Sequence, residues 1–260
     1  MEPLLTALPA AQPSPAEKSR WLGSCKQIQP VDAANKQRVK AMRHQGLIPE
    51  YFAAGHDLWL LSVITHPQMV ALQRMLLNSD EVRFQHNNLL TRSQGNPGGR
   101  WHCHRLHQPD EDDAGPTQTP PALGVVLNLC YPDGFAAGDG GLKIIPGSHL
   151  YRNVSPLEPD DDLLRDGWLR GKRHPITGEP LAIMELSVGP GTIISLLAHG
   201  AHAVSPKINP GTRLGTIFGF RKPDPERKIV TGMIEVPANW QKKRDAGELS
   251  PELTQMLQLF

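Results

Sequence analysis

From residue 82 onward the chain reads as short β-prone runs cut by glycine and proline, and this punctuation limits the fold more than any single motif does. VRFQHNNLLTR, LGVVLNLCY, GLKIIP, AIMELSV, GTIISLLAH, TRLGTIFGFR and IVTGMIEV are rich in Val, Ile, Leu, Thr and Phe and are separated by turns such as YPDG, GDGG, PGSH, VGPG and NPGT. Seven short strands with no long helix between them predict a sandwich or jelly-roll barrel. The exception is YRNVSPLEPDDDLLRDGWLRGKRHPITGEP, a polar insertion at about 150–180 that reads as a lid or binding loop.

Ahead of the strands, residues 1–30 are rich in Pro, Ala and Ser and read as a loose arm, leaving 31–260 as a single domain. VDAANKQRVKAMRHQG reads as a helix between Asp32 as N-cap and Gly46 as C-cap. THPQMVALQRMLLNS reads as a second, with Thr65 as cap and an apolar face of Met69, Leu72, Met75 and Leu76. HDLWLLSVI fits a buried strand or a helix end equally well.

Charge and cysteine content exclude several functions. With 27 Lys and Arg against 26 Asp and Glu, and no basic stripe, no nucleic-acid partner is expected. Cys25, Cys103 and Cys130 are odd in number and far apart, which argues against a disulfide framework. The N-terminus lacks the pattern of a signal peptide and no apolar run is long enough to span a membrane, so a cytoplasmic location is expected.

Three histidines fall within GGRWHCHRLHQPDEDD, at residues 98–113. His102 and His104, two apart, would share one face of a strand, a spacing that suits two ligands of one metal. A lone HxH pair is a weak signal. It gains weight from GDGGLKIIPGSH at 138–149 and HGAHAVSPKINPGTRLGTIFGFR at 199–221, which follow in order.

Together these segments resemble the phytanoyl-CoA dioxygenase family, whose hallmark is a PGSH-like turn, over residues 82 to about 222. The resemblance implies a mainly β, double-stranded β-helix (cupin-like jelly-roll) core with the N-terminal helices packed on it. It also implies Fe(II) and 2-oxoglutarate as cofactors and a small-molecule substrate whose C–H bond is oxidised by O2, with release of succinate and CO2. Carried over by position, His102 is the first iron ligand and His202 the distal one, preferred over His199 because His202 stands eleven positions before Arg213, close to the family's separation. Arg213 then grips the far carboxylate of 2-oxoglutarate, and Asn88 and Gln85 help to hold it.

The chain departs from the family at one position, where His104 replaces the usual carboxylate. Either His104 ligates, giving three neutral imidazoles that select Fe(II) less strongly over Zn²⁺ or Ni²⁺, or a carboxylate from Asp110, Glu111, Asp112 or Asp113 folds back, or the site binds without catalysing. The alternatives to a 2-oxoglutarate enzyme are a three-His cupin-type oxygenase that uses no 2-oxo acid and a non-catalytic metal-binding or ligand-binding relative. Cys103 is expected to pack away from the metal and His149 to be structural. His107, Lys172, Arg173 and His174 are weaker candidates for substrate contact.

Overall fold

The computed structural model describes residues 50–51, 63–104, 125–151, 158–223 and 238–256. Nine strands run through them: β1 Glu50–Tyr51, β2 Arg83–Ser93, β3 Gly99–His102, β4 Val125–Tyr131, β5 Leu142–Ile144, β6 Met184–Glu185, β7 Thr192–Leu197, β8 His202–Val204 and β9 Thr212–Arg221. They form two antiparallel sheets, ordered β1-β2-β9-β4-β7 and β3-β8-β5-β6. From β2 to β5 the chain alternates between the sheets at every strand, and it does so again from β6 to β9. The protein is therefore mainly β. Helices α1 Pro67–Leu77, α2 Asp161–Asp166, α3 Ala238–Asp245 and α4 Pro251–Met256 flank the sheets, and none among the described residues is long and apolar enough to cross a membrane.

The expected strands at 82–92, 123–131, 141–146, 182–188, 191–199 and 212–221 correspond to β2, β4, β5, β6, β7 and β9, the last with identical bounds. IVTGMIEV, the 1–30 arm, the helix between Asp32 and Gly46 and most of HDLWLLSVI lie outside the described residues.

The five-stranded sheet has two apolar faces because its central strands are buried on both sides, and β4 is buried along its whole length. One face carries Val126, Cys130, Leu214, Phe218 and Phe220, which pack with Met69, Val70 and Leu77 of α1 and with Met256 of α4. Full burial of a residue such as Phe218 contributes about 1.5–3 kcal/mol. Within this layer Gln73 and Asn128 exchange side-chain amide hydrogen bonds at 3.0 and 3.3 Å, and the Ser195 hydroxyl donates to the same Asn128 carbonyl at 2.6 Å. A buried polar pair of this kind costs little only when both partners are satisfied.

Two details of α1 differ from the sequence reading. His66, not Thr65, is the N-cap, its Nδ1 accepting from the Gln68 amide at 3.3 Å. Proline at the next position already supplies a helical φ and no amide. The buried face is Met69, Val70, Gln73 and Leu77, whereas Met75 and Leu76 are exposed. The buried stripe is rotated from the expected one because Gln73, polar in composition, occupies its centre.

The other face of the five-stranded sheet turns toward the four-stranded one. Leu129, Tyr131, Phe135 and Leu142 form the core between them, with Ile144, Ile194, Leu196 and Ile217 packed against it. Beyond the smaller sheet, the described part of the 150–180 insertion forms a packed layer. Leu164, Leu169, Trp168 and Leu181 cover Trp101, Ala201 and Ala203. Asp161 at the start of α2 fixes it in place, accepting from Trp101 Nε1 at 2.9 Å and pairing with Lys143 at 2.5 Å.

Candidate metal centre

The packing of that outer layer determines which residues face inward. Side chains alternate along a strand, so burying Trp101, Ala201 and Ala203 outward turns their neighbours His102 and His202 the other way, toward the interior between the sheets. The two histidines are also cross-strand partners, for β3 and β8 pair antiparallel with His102 opposite His202. β8 sits between β3 and β5, with His202 also opposite Ile144. The approach of β3 requires Gly98, whose φ of +90° suits only glycine and whose absent Cβ would lie 2.3 Å from the Val204 carbonyl.

His104 lies just past the end of β3, so it does not share a strand face with His102 as its spacing suggested. It is held by its backbone amide, which donates to the Ala198 carbonyl at 2.7 Å, and its ring stacks on that of His202 at 5.2 Å and 20°. The rings of His102 and His202 are 4.3 Å apart. One ligating nitrogen from each of the three histidines lies within 4.8 Å of the others, and among the described residues this is the one group of three or more His, Cys, Asp or Glu so placed.

Tautomer and charge suit a metal. His102 Nδ1 is 2.9 Å from the Arg100 carbonyl and His202 Nδ1 is 2.8 Å from the Gly200 carbonyl. A carbonyl only accepts, so each Nδ1 carries the proton and each Nε2 carries the lone pair that a metal needs. Burial holds both imidazoles below their ordinary value, and for His202 the neighbouring His102 and His104 add to this. Both are therefore neutral at pH 7. A set of three imidazole nitrogens fits a borderline divalent ion such as Fe(II), Ni(II) or Zn(II).

His199 is directed elsewhere. It is buried, with Nε2 2.9 Å from the Tyr151 carbonyl, and is not part of the histidine group. The PGSH segment forms a 3-10 turn over Ser148–Leu150. It positions β8 through Ser148 Oγ, which accepts from the Ala201 amide at 2.8 Å, and through the Ile145 amide, which donates to the Ala201 carbonyl at 3.2 Å. Cys103 packs with Trp101 in the outer layer as expected.

Arg213, the second residue of β9, stands opposite Arg92 of β2, on a face shared with Gly215 and Ile217. It is 7% exposed, and its guanidinium lies over the Tyr131 ring at 5.0 Å. A Cβ on Gly215 would stand 3.1 Å from Arg213 Nη1 and 3.2 Å from the Tyr131 ring, so glycine leaves the space in which these two groups meet. Among the described residues the buried Nε of Arg213 has no hydrogen-bond partner. A desolvated cation with no described carboxylate in contact with it fits an anionic ligand.

The remaining candidates divide. Gln85 is buried at an irregularity of β2 between Phe84 and His86. Asn88 pairs with Ile217 in register, and its side chain lies outside the described residues. His107 and the acidic run Asp110, Glu111, Asp112 and Asp113 also lie outside them. Lys172 donates to the Trp168 carbonyl at 2.6 Å and sits 4.7 Å over the Trp168 ring, Arg173 donates to the Gly178 carbonyl, and His174 accepts from the Ile176 and Thr177 amides. All three thus serve the packed layer. Arg92 and Tyr131 escaped the sequence reading, because a buried arginine on a strand has no spacing signature.

No protein-family model matches the chain, and no curated protein matches it. Solved structures do share its fold. The epimerase SnoN, in complex with Fe3+, alpha ketoglutarate and nogalamycin RO, matches with TM-score 0.51 at 16% identity, over 87% of this chain and 83% of that one. EctD from S. alaskensis, with 2-oxoglutarate and 5-hydroxyectoine, matches with TM-score 0.50 at 17% identity, over 66% of this chain and 55% of that one. EvdMO1 matches over 63% of this chain and only 32% of its own. The chain thus spans about a third of EvdMO1 and little more than half of EctD.

Proposed function

We propose that the protein is a non-haem iron, 2-oxoglutarate-dependent oxygenase acting on a small molecule, on a double-stranded β-helix of the phytanoyl-CoA dioxygenase kind. The observation that carries this reading is the convergence of His102, His104 and His202 in a fold whose other wall bears the buried Arg213. In this reading the three imidazoles would hold Fe(II), His102 and His202 through the Nε2 atoms that their Nδ1–carbonyl contacts leave unprotonated. Arg213, backed by Tyr131, binds the far carboxylate of 2-oxoglutarate, and the apolar residues Leu129, Ile194 and Ile217 keep water from the interior. When bound there, iron and 2-oxoglutarate would supply O2 activation, with succinate, CO2 and an oxidised substrate as products. The complexes of SnoN and EctD with iron or 2-oxoglutarate and small molecules support this reading by analogy of fold.

The neutral donor set favours a second reading, a three-imidazole oxygenase that uses no 2-oxo acid. The buried, unpartnered Arg213 Nε weighs against it, since such a reaction has no use for a carboxylate anchor. Calorimetric titration of 2-oxoglutarate into the Fe(II)-loaded protein without O2 separates the two. Saturable binding that disappears in Arg213→Ala supports the first reading, and the absence of binding to the loaded protein overturns it. A metabolite screen for succinate release then identifies the substrate.

A further inference from the structure

Directly across the β2–β9 ladder from Arg213 stands a second buried arginine, Arg92, 4% exposed. Opposed residues of an antiparallel pair share a face, so both guanidiniums belong to the interior wall. Arg92 donates from Nη1 to Asn96 Oδ1 at 2.7 Å, while its Nε, like that of Arg213, is buried with no hydrogen-bond partner among the described residues. Its Cδ is 3.5 Å from where a Cβ on Gly140 would be, and the Ser205 carbonyl just beyond β8 is 3.4 Å from the same point. The side chain therefore reaches across to the sheet that carries the histidines.

Two like charges buried side by side call for a counter-ion, and no described carboxylate fills that role. The acid that bears on Arg213, Asp139, is engaged by Lys207 at 3.2 Å, by Asn209 at 3.0 Å and by the Ala136 amide at 2.9 Å. Tyr131, held protonated by burial, offers a hydroxyl and not a charge. We propose that Arg92 is a second direct ligand of the distal carboxylate of the 2-oxo acid, so that Arg92, Arg213 and Tyr131 form a doubly cationic pocket that selects a dicarboxylate over a monocarboxylate 2-oxo acid. The assignment rests on the 2-oxoglutarate reading above. In keeping with it, burial and the Arg213 charge lower the Arg92 guanidinium to about 10, a cost that a bound carboxylate relieves.

The test is titration of 2-oxoglutarate and of 2-oxobutyrate, which lacks the distal carboxylate, into the full chain loaded with Mn(II), for the parent, Arg92→Gln and Arg213→Gln. Arg92→Gln is expected to lower the ratio of 2-oxoglutarate to 2-oxobutyrate affinity by roughly 10- to 100-fold, because a charge-assisted contact is lost for one acid alone. A purely structural role would weaken both acids together and leave the ratio unchanged, and that result overturns the proposal. If Arg213→Gln lowers the ratio while Arg92→Gln does not, the 2-oxoglutarate reading stands and only the role of Arg92 falls. If the parent binds neither acid, both fall. Should Arg92→Gln not fold, Arg92→Lys, which keeps the charge without the planar fork, is expected to lower the ratio several-fold, and a parent-like ratio there equally overturns the assignment.

Discussion

Ser148 and Ala201 are joined by a 2.8 Å hydrogen bond from the Ala201 amide to the Ser148 hydroxyl, which ties the PGSH turn to the residue before His202. The turn is thus a brace for a candidate metal ligand. Ser148→Ala leaves a buried amide without its partner, at a cost of about 1–3 kcal/mol. The expected outcome is a lower melting temperature together with weaker metal retention. A melting temperature that falls while metal affinity stays at the parent value would confine Ser148 to stability.

The two candidate distal histidines have separable outcomes. His202→Ala is expected to abolish tight iron binding in a metal analysis. His199→Ala is expected to keep the metal and to lose about 1–3 kcal/mol of stability, because the buried Tyr151 carbonyl loses its partner. The reverse pattern would move the site by three residues.

Arg213→Ala is expected to weaken 2-oxoglutarate binding by about 2–4 kcal/mol, roughly 30- to 1000-fold, with metal content unchanged. Gly215→Ala reaches the same pocket from behind, its new Cβ pressing on Arg213 Nη1 and the Tyr131 ring. A several-fold loss of 2-oxoglutarate affinity with little change in metal content is expected there too, and equal affinity in both variants and parent would remove Arg213 from the site.

Acid should act on the metal-free fold through His102 and His202. Both have folded-state values below the ordinary 6.5. Below that pH the unfolded chain binds more protons than the folded one, so stability is fully present above 6.5 and declines as pH falls beneath it. Denaturant midpoints measured from about pH 7.5 to 5 check the sign. His102→Ala or His202→Ala should flatten the slope.

His104 carries the last prediction. His104→Ala is expected to lose iron, and His104→Asp to keep it by restoring an anionic donor. Iron retained in His104→Ala would transfer the third ligand to another group, with the acidic residues 110–113 as the first to neutralise.

The fold was legible wherever a continuous β-prone run was set off by turn residues. β9 and β4 could be bounded from sequence because β-branched and aromatic residues fill both faces between Gly and Pro turns. β8 is only three residues long, too short for periodicity, although it holds His202. The α1 face was misplaced because a glutamine lies at its centre, and the reciprocal bond to Asn128 makes that burial tolerable. The histidine group could be anticipated from motif order, but its orientation could not. That depends on Trp101 and the Ala201–Ala203 pair packing under a layer whose residues looked like a polar loop. Arg92 was hidden for a related reason, since burial of a charge is visible only once the opposite strand is in register.

The direct pairing of His102 with His202 across two strands has a consequence for how such a centre can diversify. The bite between these two donors is set by the spacing of backbones in a ladder, a dimension that side-chain substitution barely alters. His104 hangs from a coil outside that ladder. In the proposed centre, exchanging imidazole for carboxylate at residue 104 would therefore change the donor set while leaving the His102–His202 frame unaltered.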